Sequence, residues 1–157
     1  MGIHGSIQVT GASSGFGRSM TELLLKNGNR VVATLRRTEA LSDLAEQYPS
    51  SQLLIVQTDV SKSSEVVAAF TKAIEVFGRV DVVFNNAGTG VVGEMESTSD
   101  EEARQIFEVN FWGASNVTRE AIRTFREVNS PAGGRLLQVS SMLGLRGSGA
   151  ASYYAAS

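Results

Sequence analysis

The fold is decided at Thr10-Gly11-Ala12-Ser13-Ser14-Gly15-Phe16-Gly17. An apolar run, Ser6–Thr10, leads into this stretch, and a helical pattern leads out of it. Glycines at 11, 15 and 17 give the spacing G-x-x-x-G-x-G, which differs from the G-x-G-x-x-G dinucleotide fingerprint but serves similar chemistry. Positions without a Cβ permit a tight strand-to-helix turn and close backbone approach to a pyrophosphate, which then rests at the helix N-terminus. The Ser13 and Ser14 hydroxyls can add phosphate contacts. Three other readings compete. Gly11–Gly15 also matches G-x-S-x-G, the nucleophile elbow of hydrolases, but that mechanism needs a histidine downstream and the lone histidine is His4. A Walker A loop requires Gly-Lys-Ser/Thr, and Gly17-Arg18-Ser19 has the wrong cation and spacing. A glycine-rich turn with no ligand stays open on this motif alone.

Beyond the turn, short β-rich runs alternate with helical patterns, as in βαβ units around a parallel sheet. Strands are predicted at Ser6–Thr10, Arg30–Leu35, Leu53–Thr58, Val80–Asn85 and Arg135–Ser140, with helices near 16–27, 39–47, 62–77 and 100–128. The strand cores VVAT, LLIVQ, VDVVF and LLQV are almost continuously apolar, the pattern of strands covered on both faces. Val66, Phe70, Ile74 and Phe77 make a helical stripe facing a sheet. Ser99-Asp100-Glu101-Glu102 has the form of a capping box, and Gly28 suits the position just past the first helix. Pro131-Ala132-Gly133-Gly134 breaks the chain before the fifth strand. Gly144–Ser152 reads as a mobile loop, after which a helix begins at Tyr153. The expected fold is α/β: one domain over residues 1–157, built on a doubly wound, Rossmann-like parallel sheet.

Composition narrows the function classes. Hydrophobic content of 42% and charged content of 19% belong to a globular chain. A formal net charge of -2 gives no support for a nucleic-acid partner. The absence of cysteine excludes disulfides, thiolate zinc sites and a Cys nucleophile, and His4 alone cannot build a metal cluster, so no metal is expected. No apolar run approaches the roughly 18 residues of a membrane span, and the N-terminus lacks a signal-peptide core. The expectation is a cytoplasmic protein with no membrane partner.

The second strand ends in Thr34-Leu35-Arg36-Arg37, with no carboxylate before Glu39. A dinucleotide fold that takes NAD places an acidic residue there, whereas a 2′-phosphate needs cations. Two guanidiniums suit a phosphate, which arginine binds bidentately; a solvated charge pair before a helix is the plainer alternative. Asp59, ending the third strand, could accept from an adenine amino group or simply start the next helix.

Further along come Asn85-Asn86-Ala87-Gly88, Val109-Asn110, Val139-Ser140-Ser141 and Tyr154-Ala155-Ala156-Ser157. In this order and spacing, the whole set resembles the short-chain dehydrogenase/reductase family. Thr10–Gly17 is similar to its TGxxxGxG turn, Asp59-Val60 to its adenine-side dipeptide, and Asn85–Gly88 to its NNAG motif. The resemblance implies hydride transfer between a nicotinamide cofactor and a carbonyl or secondary alcohol. It implies cofactor contacts from Gly11, Ser13, Ser14, Gly15, Phe16 and Gly17, from Asp59 and Val60, and from Asn86, Ala87 and Gly88. Arg36 and Arg37 then point to NADP rather than NAD. Tyr154 would be the general acid in reduction and the base in oxidation, Ser141 would bond the substrate oxygen, and Asn110 would position a relay water. Ser140 and Tyr153 share the serine-to-tyrosine spacing, but Tyr154 puts Tyr-x-Ala-Ser in register. Phe16 departs from the family's usual Ile, a change in packing under the cofactor.

The larger departure is at the end. The family's Y-x-x-x-K lysine binds the nicotinamide ribose and tunes the tyrosine, and the sequence stops at Ser157, just before that position. The expectation is therefore an incomplete chain, lacking the C-terminal strands and the substrate lobe, with Leu136–Val139 as an apolar, aggregation-prone edge. A complete chain would be expected to form homo-oligomers through the 100–128 helix and the helix begun at Tyr153. The alternative is a catalytically inactive dinucleotide-binding fragment.

Overall fold

Alternation within the apolar runs sends neighbouring side chains to opposite faces of a single sheet. The computed structural model describes residues 5–157, so the reading of His4 lies outside them. Strands β1 (Ser6–Thr10), β2 (Arg30–Leu35), β3 (Leu53–Gln57), β4 (Val82–Asn85) and β5 (Arg135–Gln138) are all parallel, in the order β3-β2-β1-β4-β5. On one face, Ile7, Val9, Val31, Ala33 and Leu35 pack with Leu25 and Leu44 from helices α1 (Gly15–Lys26) and α2 (Ser42–Gln47). On the other, Val32, Val56 and Val83 meet Phe70 and Phe77 of α3 (Ser63–Phe77) and Val117 of α5 (Ala114–Arg123). Two helical layers on one parallel sheet make the doubly wound fold the sequence predicts.

Local signals in the sequence mark several element ends correctly. Gly28 adopts φ +77 after α1 and donates to Leu25 O, while Asn29 donates to Leu24 O, the paired bonds of a Schellman ending. Before α4 (Asp100–Phe107) the Ser99 hydroxyl accepts from Glu102 N–H, and the Glu102 carboxylate accepts from Ser99 N–H at 3.0 Å. The Ser99 hydroxyl, donating to the same carboxylate at 2.7 Å, and then that N–H hold Glu102 below the ordinary glutamate range. The final helix, α6, spans Ser152–Ala156, and the 39–47 helix opens as a 3-10 turn over Thr38–Leu41.

Other boundaries move, for identifiable reasons. β4 starts at Val82 rather than Val80, because the Asn129 side chain accepts from Val80 N–H and donates to Val80 O in place of a neighbouring strand. β5 stops at Gln138, after which Ser141 caps a short 3-10 turn, Met142–Gly144. The 100–128 stretch stays helical throughout, but its hydrogen-bond register widens to π-helical over Glu108–Gly113 and Thr124–Val128. At Gly113 a Cβ would lie 2.7 Å from Val60 Cγ2, so the widened turn lies close against the loop after β3. Among the described strands β5 is last in the order, and Leu137 is 51% exposed. Among the described residues no helix is long and apolar enough to cross a membrane, and no acidic or histidine cluster is placed to hold a metal.

Chain direction divides at β1: β2 and β3 lie on one side of it, β4 and β5 on the other. Loops leaving β1 and β4 therefore diverge and open a crevice at the carboxyl ends of the strands, where doubly wound sheets hold their ligands.

Candidate active site

The crevice begins with the turn after β1. Gly11 sits at φ +66 and Gly15 at φ +53, a left-handed conformation that side chains with a Cβ resist. A Cβ on Gly11 would also stand 3.0 Å from Ala87 Cα, and one on Gly17 would run into the carbonyl oxygen of Gly11. The first turn of α1 contains no acidic residue, and Ser14 at its N-cap places no side-chain bond on the helix. Its opening N–H groups are thus left for an external acceptor. Arg18 is turned away from them: it bonds Glu22, Ala40 O and Asp43, and holds the Asp43 carboxyl below its ordinary range.

The β1 and β4 ends are tied by side chains. Thr10 Oγ1 accepts from the N–H groups of Asn86 and Ala87, both at 2.9 Å, while Asn86 Nδ2 donates to Thr10 O. The buried Asn85 donates to Gln138 Oε1 on β5 and to Ala114 O on α5. These bonds fix the Asn86–Gly88 backbone opposite the glycine turn.

A cleft of about 350 Å³ lies between them. Of the residues predicted to bind a cofactor, Gly11, Ser13, Ser14, Arg36, Asp59, Val60, Asn86, Ala87 and Gly88 line it. Gly15, Phe16, Gly17 and Arg37 do not form its wall; Gly17 is buried beneath the turn and Phe16 is 78% exposed. Arg36 and Arg37 are both exposed, and neither pairs with a carboxylate among the described residues. Asp59 both lines the cleft and organises the turn into α3. Its Oδ1 accepts from Ser61 N–H and Oγ–H, and its own N–H donates to Glu65, lowering that carboxyl's pKa.

Of the predicted catalytic residues, Asn110 and Tyr154 lie beyond the cleft's Thr89 wall. Asn110, in the π-helical turn, exchanges two bonds with the Thr89 main chain, each 2.8 Å, and donates to Ser157 Oγ at 2.8 Å. Ser157 Oγ in turn donates to Tyr154 O at 3.0 Å. The Tyr154 ring lies over Gly90, where a Cβ would come within 3.2 Å of the ring. Ser141 Oγ accepts from Leu143 N–H at 3.2 Å, and the turn it caps packs against α6. Four residues not predicted as site residues also belong to this arrangement: Thr89 and Gln105 line the cleft, and Thr10 and Ser157 bond Asn86, Ala87 and Asn110. Thr10 and Ser157 fall inside the glycine-turn and Tyr-x-x-Ser motifs, Thr89 directly follows Gly88, and Gln105 carries no sequence signal.

A family model described as short chain dehydrogenase matches residues 6–157. An uncharacterized oxidoreductase of Schizosaccharomyces pombe is 40% identical over 152 residues, covering 97% of this chain and 50% of its own length. A solved short-chain dehydrogenase from Streptomyces avermitilis superposes with a TM-score of 0.88 at 36% identity, over 97% of this chain and 55% of that one. A 3-ketoacyl-(acyl-carrier-protein) reductase from Brucella melitensis, solved with NADH, gives 0.88 at 32% identity, over 97% and 63%. The chain spans about half the length of the curated relatives it matches.

Proposed function

The chain belongs to the short chain dehydrogenase family, and from that premise we propose that it works as an oxidoreductase on a carbonyl or secondary-alcohol substrate with NADP(H). The observation that carries this reading is Thr89, which is at once a wall of the cleft and the partner of Asn110, and so joins a dinucleotide-shaped cradle to the Tyr154 cluster.

The residues present fit a dinucleotide. The turn closes over itself where a Cβ on Gly11 or Gly17 would intrude, and α1 offers uncapped N–H groups with no carboxylate to repel a pyrophosphate. Ser13 and Ser14 add hydroxyls, Asp59 and Val60 line the same cleft and on the family pattern would meet the adenine, and Asn86–Gly88 face the turn from β4. Bound there, the nicotinamide supplies or accepts the hydride. The choice of NADP rests on Arg36 and Arg37, two free guanidiniums where an NAD-selective fold places an acid.

The chain's own residues handle the proton. In reduction the Tyr154 phenol donates to the substrate oxygen, and in oxidation the phenolate takes the proton back. Ser141 has its oxygen engaged by Leu143 N–H, which leaves its hydroxyl proton free to hold that substrate oxygen. With its amide protons committed to Thr89 and Ser157, Asn110 would position a relay water from the widened turn.

The test is Tyr154→Phe in the full-length protein, assayed against a panel of carbonyls and secondary alcohols. Turnover should fall by about 100-fold or more while NADPH binding, followed by nicotinamide fluorescence, stays within about twofold. Retained turnover would mean that another group is the acid.

A further inference from the structure

We infer that residues 89–93 form a positioning strap that holds the Tyr154 ring in place, with Gly90 as its bed and the Gly93–Ala150 main-chain bond as its anchor; the inference rests on the acid–base role proposed above for Tyr154. Tyr154 lies in the first turn of α6, and that turn is cross-linked to the segment leaving β4. Asn110 bridges Thr89 and Ser157, the Tyr154 ring covers Gly90, and Gly93 N–H donates to Ala150 O at 2.8 Å. As the strap's numbers rise from 89 to 93, their partners fall from 157 to 150. The two segments therefore run antiparallel, stitched at three points.

Ala150 identifies the anchored end. It adopts φ +59 and is the one non-glycine residue with positive φ among the described residues. Alanine disfavours this conformation, and such strain persists only where surrounding contacts over-determine it. Here the Gly93 bond captures the carbonyl of the strained residue itself, immediately before the chain turns into α6. At the other end Gly90 leaves the ring no room to spare. A Cβ would stand 3.2 Å from Tyr154 Cδ2 and 3.5 Å from both Cγ and Cε2, so any side chain pushes the ring outward.

The test uses Gly90→Ala and Ala150→Val in the full-length protein, with Ala150→Gly as the conservative partner that accepts positive φ without strain. Displacement of the phenol should lower kcat about tenfold or more in both variants, with KM and NADPH affinity within about twofold, and Ala150→Gly should restore the rate. A kcat unchanged in both, or a loss that appears equally in NADPH affinity, overturns the inference; the latter would make the strap a cofactor support. A second readout needs no turnover: the upfield ring-current shift of the Gly90 α-protons in the NMR spectrum. It should vanish in Tyr154→Ala and diminish in Ala150→Val. If the parent turns over no alcohol or carbonyl, the catalytic reading fails, yet a diminished shift still upholds the strap; a shift untouched by Ala150→Val overturns it.

Discussion

The Thr10 hydroxyl accepts the N–H of Ala87 at 2.9 Å, joining the ends of two strands that lie 77 positions apart in the chain. Because the same oxygen also takes the Asn86 N–H, one side chain satisfies two main-chain donors at the base of the cleft. Thr10→Val keeps the shape and removes the acceptor. Unfolding in urea should show a loss of about 2 kcal/mol, the cost of stranding partly buried donors, while Thr10→Ser should lose less than about 1 kcal/mol. Equal losses for the two would assign the effect to packing of the methyl group.

Two glycines of the turn should respond differently. Gly17→Ala drives a Cβ into Gly11's main-chain carbonyl, which cannot swing aside, so dinucleotide binding should disappear with about 3 kcal/mol of stability. Gly15→Ala meets nothing within 4 Å and carries only the strain of φ +53, about 1 kcal/mol. Fluorescence titration and urea unfolding of the two variants give the order directly.

Replacing Arg36 and Arg37 together with Ala should weaken NADPH by about 2 kcal/mol, on the order of 30-fold, and leave NADH nearly unchanged. Equal losses for both dinucleotides, measured by isothermal titration, would remove the basis for choosing NADP.

Glu102 gives a pH-dependent prediction. Its carboxylate is stabilised by the Ser99 hydroxyl and N–H, so its folded pKa lies below the unfolded one. The sign follows from linkage: the contribution is fully present above the unfolded pKa and is lost as pH falls through the folded pKa. The stability gap between the parent and Glu102→Gln should stay constant at neutral pH and shrink as pH falls through and below the ordinary glutamate range. A gap that widens on acidification would contradict the capping box.

Much of this architecture was legible in local pattern. Gly28 ends α1 and Ser99 begins α4 through bonds that span only a few residues, and the alternating runs of β2 divide between two cores as strand periodicity requires. The glycine turn, too, is read within a few positions, so nine of the predicted cofactor residues line one cleft. Boundaries failed where a distant group intervened. No periodicity announces that Asn129 satisfies Val80, or that the helix widens at Asn110.

By itself, then, the sequence determined the succession of elements, the conformations of the glycine turn and the family to which the pattern belongs, since each depends on side-chain period or on groups a few residues apart. The tertiary structure alone decided which hydroxyl ties β1 to β4 and how Asn110 joins Thr89 to Ser157. It alone laid the Tyr154 ring over Gly90. Those contacts link residues far apart in the chain, and hydrogen bonds of 3 Å or less become possible between them only once the parallel sheet has brought its carboxyl ends together.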